Sequence, residues 1–259
     1  MKTSNKVLFG GLASILFVAI TFMAIGRANM KLITRSDCSK FPRTTKSLQL
    51  EFTAVDIREN VEVVLKQGDF KVDIDATESA MPHVNHHVEN GVLFLNLEEV
   101  AILEREPCPF KVVIVAPQLD AINISHGSKI SNLETFETPN LEIVASHGSL
   151  VELSLKTGSL KTTAMHSANI EVAGEVDSLD ASASHSSQIQ LPNANVNRAS
   201  VNLSHSSTAM IHADTISKAD MSHSSMLNYI GETVIGNIDA RHSSGIKKLT
   251  EDEGHTIRK

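Results

Sequence analysis

Between residues 120 and 246 apolar and polar side chains alternate with period two, in short runs that restart about every 19 residues. Ile122 and Ile124 form one such run; Leu141, Ile143 and Ala145 the next. Leu179, Ala181 and Ala183, then Ala199, Val201 and Leu203, then Ile238 and Ala240, repeat the pattern. Asn123, Glu142, Asp180, Ser182, Asn202 and Asp239 occupy the alternate positions. Period two places successive side chains on opposite faces, so each run predicts a strand with one buried face. Shorter apolar pieces follow, such as Ile170-Glu171-Val172, Ile189-Gln190-Leu191 and Met210-Ile211. No helical period runs through 120–246.

Each run ends at the same phrase. The copies are Ser125-His126-Gly127-Ser128, Ser146-His147-Gly148-Ser149, Met165-His166-Ser167-Ala168 and Ser184-His185-Ser186-Ser187. Ser204-His205-Ser206-Ser207, Ser222-His223-Ser224-Ser225 and Arg241-His242-Ser243-Ser244 continue the series. The histidines are separated by 21, 19, 19, 20, 18 and 19 residues. A strand, a small-residue turn and a second short strand at this period make one coil of a solenoid. The sequence therefore predicts an all-β, right-handed parallel β-helix of about 19 residues per coil, the hand following from the crossover rule. Coils spaced by about 4.8 Å would set the seven histidines in register as a ladder, on a rod roughly 34 Å long.

Before the repeats, β patterning begins at Ser47 with Leu48, Leu50 and Phe52. It continues through Val61, Val63 and Leu65, then Phe70, Val72 and Ile74, then Leu93, Leu95 and Leu97. Gly68-Asp69 and Asn90-Gly91 supply turns. Residues 47–119 read as a β-rich cap, which an uncovered first coil requires because its strand edges would otherwise stay open. Residues 36–46 read as a polar linker, and 247–259 as a polar tail that protects the other end.

Residues 1–35 read as a membrane anchor or signal segment. Val7 to Gly26 is a run of 20 residues without a charge, long enough at about 1.5 Å per residue to cross a bilayer core. Ala24-Ile25-Gly26 would serve as a cleavage site if the segment is a signal peptide. Both cysteines, Cys38 and Cys108, follow this segment, which suits an oxidising exterior and one disulfide; two unpaired thiols is the alternative.

Composition narrows the function. Lys and Arg number 23 against 30 Asp and Glu, a net charge of −7, so no basic surface is available for nucleic acid. Trp is absent and Tyr occurs once, which leaves little for stacking bases or sugars.

Taken together, Val61-Glu62-Val63-Val64-Leu65-Lys66-Gln67-Gly68-Asp69, Asn90-Gly91-Val92-Leu93 and Ala116-Pro117-Gln118-Leu119, followed by repeated strand-turn units, resemble a bacterial family. This is the putative auto-transporter adhesin, head GIN domain family, and the likeness covers about 45–246. It implies a right-handed β-helix at the cell envelope and, by its name, adhesion. Where the family's turn carries its first Gly this chain has His in all seven copies, so the resemblance is silent on the ladder.

The ladder of His126, His147, His166, His185, His205, His223 and His242 admits three readings. Strand parity continues the inward apolar face to each His, which would make the ladder a hydrogen-bonded packing device; a bend at the strand end would instead turn it outward. Neighbouring imidazoles could hold Zn or Cu as weak, multiple metal sites. Adjacent imidazoliums would repel by roughly 1–3.5 kcal/mol for effective dielectrics between 80 and 20, which makes a pH sensor the third reading. His83, His86 and His87 form a separate cluster that fits no metal motif and reads as surface histidine.

β-Helices also carry polysaccharide lyases and hydrolases, but those need carboxylates gathered in one cleft. Ser-His pairs repeated along a rod without a consistent acid do not make one catalytic centre. The expectation is a non-catalytic, membrane-anchored envelope β-helix, attached through 7–26 and facing the periplasm or exterior. Its partner would be a surface protein or glycan, with metal binding the first alternative and a polysaccharide-active enzyme the second.

Overall fold

The computed structural model describes residues 41–98 and 110–250. Every strand named below belongs to one compact unit that begins at Pro42. The expected membrane segment at 7–26, Cys38 and Cys108 lie outside the described residues. Among the described residues, no helix is long and apolar enough to cross a membrane.

The described part is a curled β-sheet with solenoid stacking at about 19 residues per coil. Its strands are β1 (Arg43–Leu48), β2 (Ala54–Ile57), β3 (Glu62–Gln67), β4 (Lys71–Thr77), β5 (Val84–Glu89), β6 (Val92–Leu97) and β7 (Lys111–Ala116). Then come β8 (Ala121–Ile124), β9 (Lys129–Asn132), β10 (Phe136–Ser146), β11 (Leu150–Met165), β12 (Asn169–Ser184) and β13 (Gln188–Leu203). The last four are β14 (Thr208–Met221), β15 (Met226–Ile230), β16 (Val234–Ala240) and β17 (Gly245–Lys248). The central coils are longer strands than the short runs predict. Each of β11 to β13 is one 16-residue ribbon that bends around the core and is interrupted only at the histidine turn.

Parallel pairing in register carries the stack. Leu150 lies over Asn169 and Leu160 over Leu179 between β11 and β12, a shift of 19 residues. The in-register columns explain the period-two pattern. Val63, Ile130, Val151, Ile170 and Ile189 form one inward column, and each is at most 1% exposed. Ile57, Ile124, Ala145, Ala164 and Ala183 form another. Burying each Val or Ile of such a column contributes about 1.5–3 kcal/mol.

Stacking extends into the segment expected to be a cap, in an order unlike that of the chain. β2 pairs in parallel with β6 on one side and β8 on the other, and β3 sits likewise between β7 and β9. Residues 54–67 thus form a layer inserted between strands β6 and β7 on the outer side and the first histidine coil. Antiparallel strands then close the outer edge: β5 on β6, β4 on β7 and β1 on β4. β1 begins inside the stretch expected to be linker, and Arg43 holds Asp75 at 3.0 Å. Asn90 and Gly91 make the predicted hairpin turn, with φ of 51° and 76°. The C-terminal edge differs. β17 runs into the expected tail, Leu249 is buried, and Val234 and Ile235 of the last coil stand 67% and 37% exposed.

Candidate functional site

The repeated phrase Ser-His-(Gly/Ser)-Ser has a distinct task for each residue. The His and the residue after it are both left-handed: φ is 52–56° at all seven histidines and 59–73° at the following Gly or Ser. Two successive left-handed residues define a type I′ turn. Four of the turns are closed by an N–H donating to the carbonyl three residues earlier, as in Ser149 to Ser146 at 3.3 Å. Gly takes this conformation freely, and among other residues His, Asn and Asp are enriched there.

In three copies the last Ser turns inward and bonds backbone of another coil, whereas the buried Ser187 Oγ has no hydrogen-bond partner among the described residues. Ser149 Oγ donates to the Ile124 carbonyl at 3.2 Å and Ser207 Oγ to the Ala183 carbonyl at 2.8 Å. Ser128 Oγ accepts from the Val61 N–H. Across coils, the N–H after each His donates to the next histidine's carbonyl at 2.9–3.1 Å, so the backbone ladder runs unbroken through the turns.

This geometry decides where the histidines point. Parity predicts inward side chains, but parity counting assumes extended backbone, and the left-handed residue ends the alternation at the His itself. All seven are exposed, His126 with 49% of its side chain open. Their rings stack face to face with centroids 4.7–5.0 Å apart and planes within 20° of parallel, without a break from His126 to His242. The first Ser of the phrase orients the ring: His126, His147 and His185 hold Nδ1 at 2.9–3.1 Å from the preceding Ser Oγ. Fixing Nδ1 this way leaves Nε2 as the outward edge. His185, His205, His223 and His242 line a shallow open groove of about 560 Å³ with Ser186, Ser206 and Ser224.

The ladder ends at a turn the histidine pattern does not reveal. Glu59 and Asn60 are also left-handed, with φ of 65° and 61°, and occupy the corresponding place in the inserted layer. Glu59 stands 3.8 Å from His126 Nδ1 and stops the row with a carboxylate. The signal for it was the phrase Arg58-Glu59-Asn60-Val61 directly after the inward pair Val55 and Ile57.

A shared metal does not fit this stack. Imidazole lone pairs lie in the ring plane, so those of parallel rings cannot converge on one ion at about 2.0 Å from each nitrogen. Among the described residues, no group of three or more His, Cys, Asp or Glu is placed to hold a metal. The second histidine cluster is dispersed as well. His83 faces Glu98 at 3.4 Å, His86 meets Lys46 at 2.9 Å, and His87 stacks on Phe94. Nor do the Ser-His pairs form a relay, since the Ser occupies Nδ1, where a triad's acid would have to bind.

Charged groups on the flanking strands are tied to one another. Lys161 reaches Glu142 on the neighbouring coil at 2.8 Å, and that hydrogen bond raises the lysine above its ordinary range. Asp239 is held below the usual carboxylate range by its hydrogen bond from Arg241.

The model of the putative auto-transporter adhesin, head GIN domain family matches residues 51–233. The chain belongs to that family. No curated protein matches it. Among solved structures, a putative adhesin from Bacteroides fragilis superposes with a TM-score of 0.74 at 16% identity, covering 83% of this chain and 99% of that one. A putative adhesin from Parabacteroides merdae gives 0.66 at 18% identity, with 81% and 97% covered. A putative lipid binding protein from Parabacteroides distasonis gives 0.64 at 16%, with 81% and 98% covered. At these identities the likeness establishes the fold.

Proposed function

We propose that this chain is a non-catalytic cell-envelope adhesion module, a right-handed β-helix held at the membrane through 7–26 with its rod facing outward. The observation that carries this reading is the unbroken, exposed row of seven identical turns along one edge. A catalytic centre is a single place, whereas this feature repeats in each of the seven histidine coils at near-equal spacing, as a surface does that meets a repeating or extended partner. Family membership supports the envelope setting, and the crossover rule supports the hand.

The test is to express the full chain in a bacterial host and probe intact cells with an antibody to the rod, then incubate them on arrays of surface glycans and surface proteins. The reading predicts antibody access from outside and saturable adherence that a host lacking the protein does not show. Antibody access only after lysis, or adherence equal to that of the control host, would overturn it.

A further inference from the structure

We propose that the histidine ladder is a binding strip for a linear acidic polysaccharide that lies along the rod and offers carboxylates to it at small multiples of the coil spacing. The inference rests on the adhesion reading above and names the ligand class for it.

Geometry comes first. The ladder is a continuous row of seven imidazoles in six steps of 4.7–5.0 Å, close to 29 Å along the row. Stacked rings expose parallel edges, so each imidazole meets a ligand alone and none can share a small one with its neighbour. A partner that engages the whole row must itself repeat at the coil spacing or a small multiple of it. A sugar in an extended chain advances by roughly this distance, and because successive sugars turn about the chain axis, a linear acidic polysaccharide presents carboxylates to one face at small multiples of the coil spacing. Hydroxyls border the row on both sides, from Ser125, Ser146 and Ser184 on the strand side to Ser186, Ser206 and Ser224 on the other. These are the donors and acceptors that sugar hydroxyls need.

The charge pattern points the same way. None of the 35 positions from two residues before to three residues after each ladder His is Asp or Glu. At the chain-wide frequency of 30 in 259, about four would be. A protein of net charge −7 thus keeps this strip free of anions. The charged groups that face the row from adjoining elements are few and mostly paired. Glu59 closes one end, and Lys129 beside it is bound to Glu152. Arg241 at the other end is bound to Asp239, and Asp220 is bound to Lys218. Between His147 and His205 the border is Ser, Met, Gly, Ala, Leu, Asn, Gln and Thr.

Adjacent imidazoliums repel, and anions spaced along the row relieve that repulsion, so binding and protonation favour one another. The capture should therefore strengthen on acidification and weaken with salt.

The experiment uses the full-length protein in mild detergent and polygalacturonate as the probe, with dextran as a neutral polymer and inorganic polyphosphate as an anionic one of different repeat. Binding is measured at pH 5.5 and 7.5 for the wild type, for a His166→Asn, His185→Asn, His205→Asn triple variant, and for His83→Asn away from the ladder. Asn tolerates the left-handed turn, and equal urea midpoints establish that the triple variant is folded. The proposal expects polygalacturonate to bind at least tenfold more tightly at pH 5.5 than at 7.5. It expects the triple variant to lose at least tenfold of that binding, His83→Asn to lose none, and dextran not to bind. Binding unaffected by pH or by the triple variant would overturn it. Polyphosphate binding as tight per charge as polygalacturonate would overturn the repeat match. Absence of polygalacturonate binding by protein that still adheres on the arrays would remove this ligand and leave the adhesion reading standing.

Discussion

Replacing His185 by Gly and by Ala separates what the turn requires from what the stack contributes. Both changes remove the ring contacts to His166 at 5.0 Å and His205 at 4.8 Å, each worth about 0.5–1.5 kcal/mol by analogy with aromatic pairs. Both also remove the Nδ1 contact to Ser184. They differ in the backbone. His185 has φ of 55°, a conformation that costs an L-residue about 1–2 kcal/mol and Gly almost nothing. Gly gives back about 0.4–1 kcal/mol through the freer unfolded chain. Ala should therefore destabilise by about 1–3 kcal/mol in total, with Gly milder by up to about 1 kcal/mol. At Thr163, an ordinary strand position, the order should reverse, with Ala better than Gly by about 0.5–1 kcal/mol.

The assay is urea unfolding of the full chain followed by circular dichroism, compared at constant slope. Hydrogen exchange in peptides around 180–190 would localise the loss, since solenoids can unfold piecewise. If Ala at 185 is as stable as Gly or more so, the left-handed turn does not govern the site. If both match the wild type, the stack contributes nothing to stability.

Single residues elsewhere carry further consequences. A Cβ on Gly174 would sit 2.1 Å from the Leu155 carbonyl oxygen, at a φ of +108°. Gly174→Ala should thus cost more than about 3 kcal/mol, whereas Gly148→Ala, which meets nothing within 4 Å, should cost about 1 kcal/mol; thermal unfolding of the two variants ranks them. Asp73 is held low by hydrogen bonds from Lys71 and Ser47, so its contribution is present above the ordinary carboxylate value and fades as pH falls through the lowered one. Exchange protection of β1 against β4 should accordingly weaken below about pH 4, and protection unchanged there would contradict it. Zinc titrated at micromolar concentration in a calorimeter should give no saturable heat at neutral pH; tight binding lost in a His147→Gly, His185→Gly double variant would mean that the rings leave their stack.

Much of the fold was legible because a solenoid writes the same physical requirement every 19 residues. Ile170 and Ile189 are apolar for the same reason, since one lies over the other in the core. Likewise, Asn90-Gly91 marked its turn through the conformation it needs. The order of the first coils was not legible. Val55 packs between Leu93 and Ile122, and nothing in three aliphatic residues says that the earliest goes in the middle. β1 escaped because its hydrogen bonds, not an apolar face, hold it to β4. The ladder was visible as a period, yet its direction was not, because a left-handed residue breaks the parity on which an inward reading depends. Glu59 was missed since a turn defined by backbone shape can be made without the residues that repeat elsewhere.

The outward stack is the claim on which both the adhesion reading and the polysaccharide strip depend. The direct test is to modify the native protein with a histidine-selective acylating reagent near neutral pH and map the adducts by mass spectrometry. The account predicts modification at each of the seven ladder histidines, at rates at least equal to that of half-buried His83. Protection of the ladder in the native protein, lifted only in urea, would place the rings in the core and contradict it.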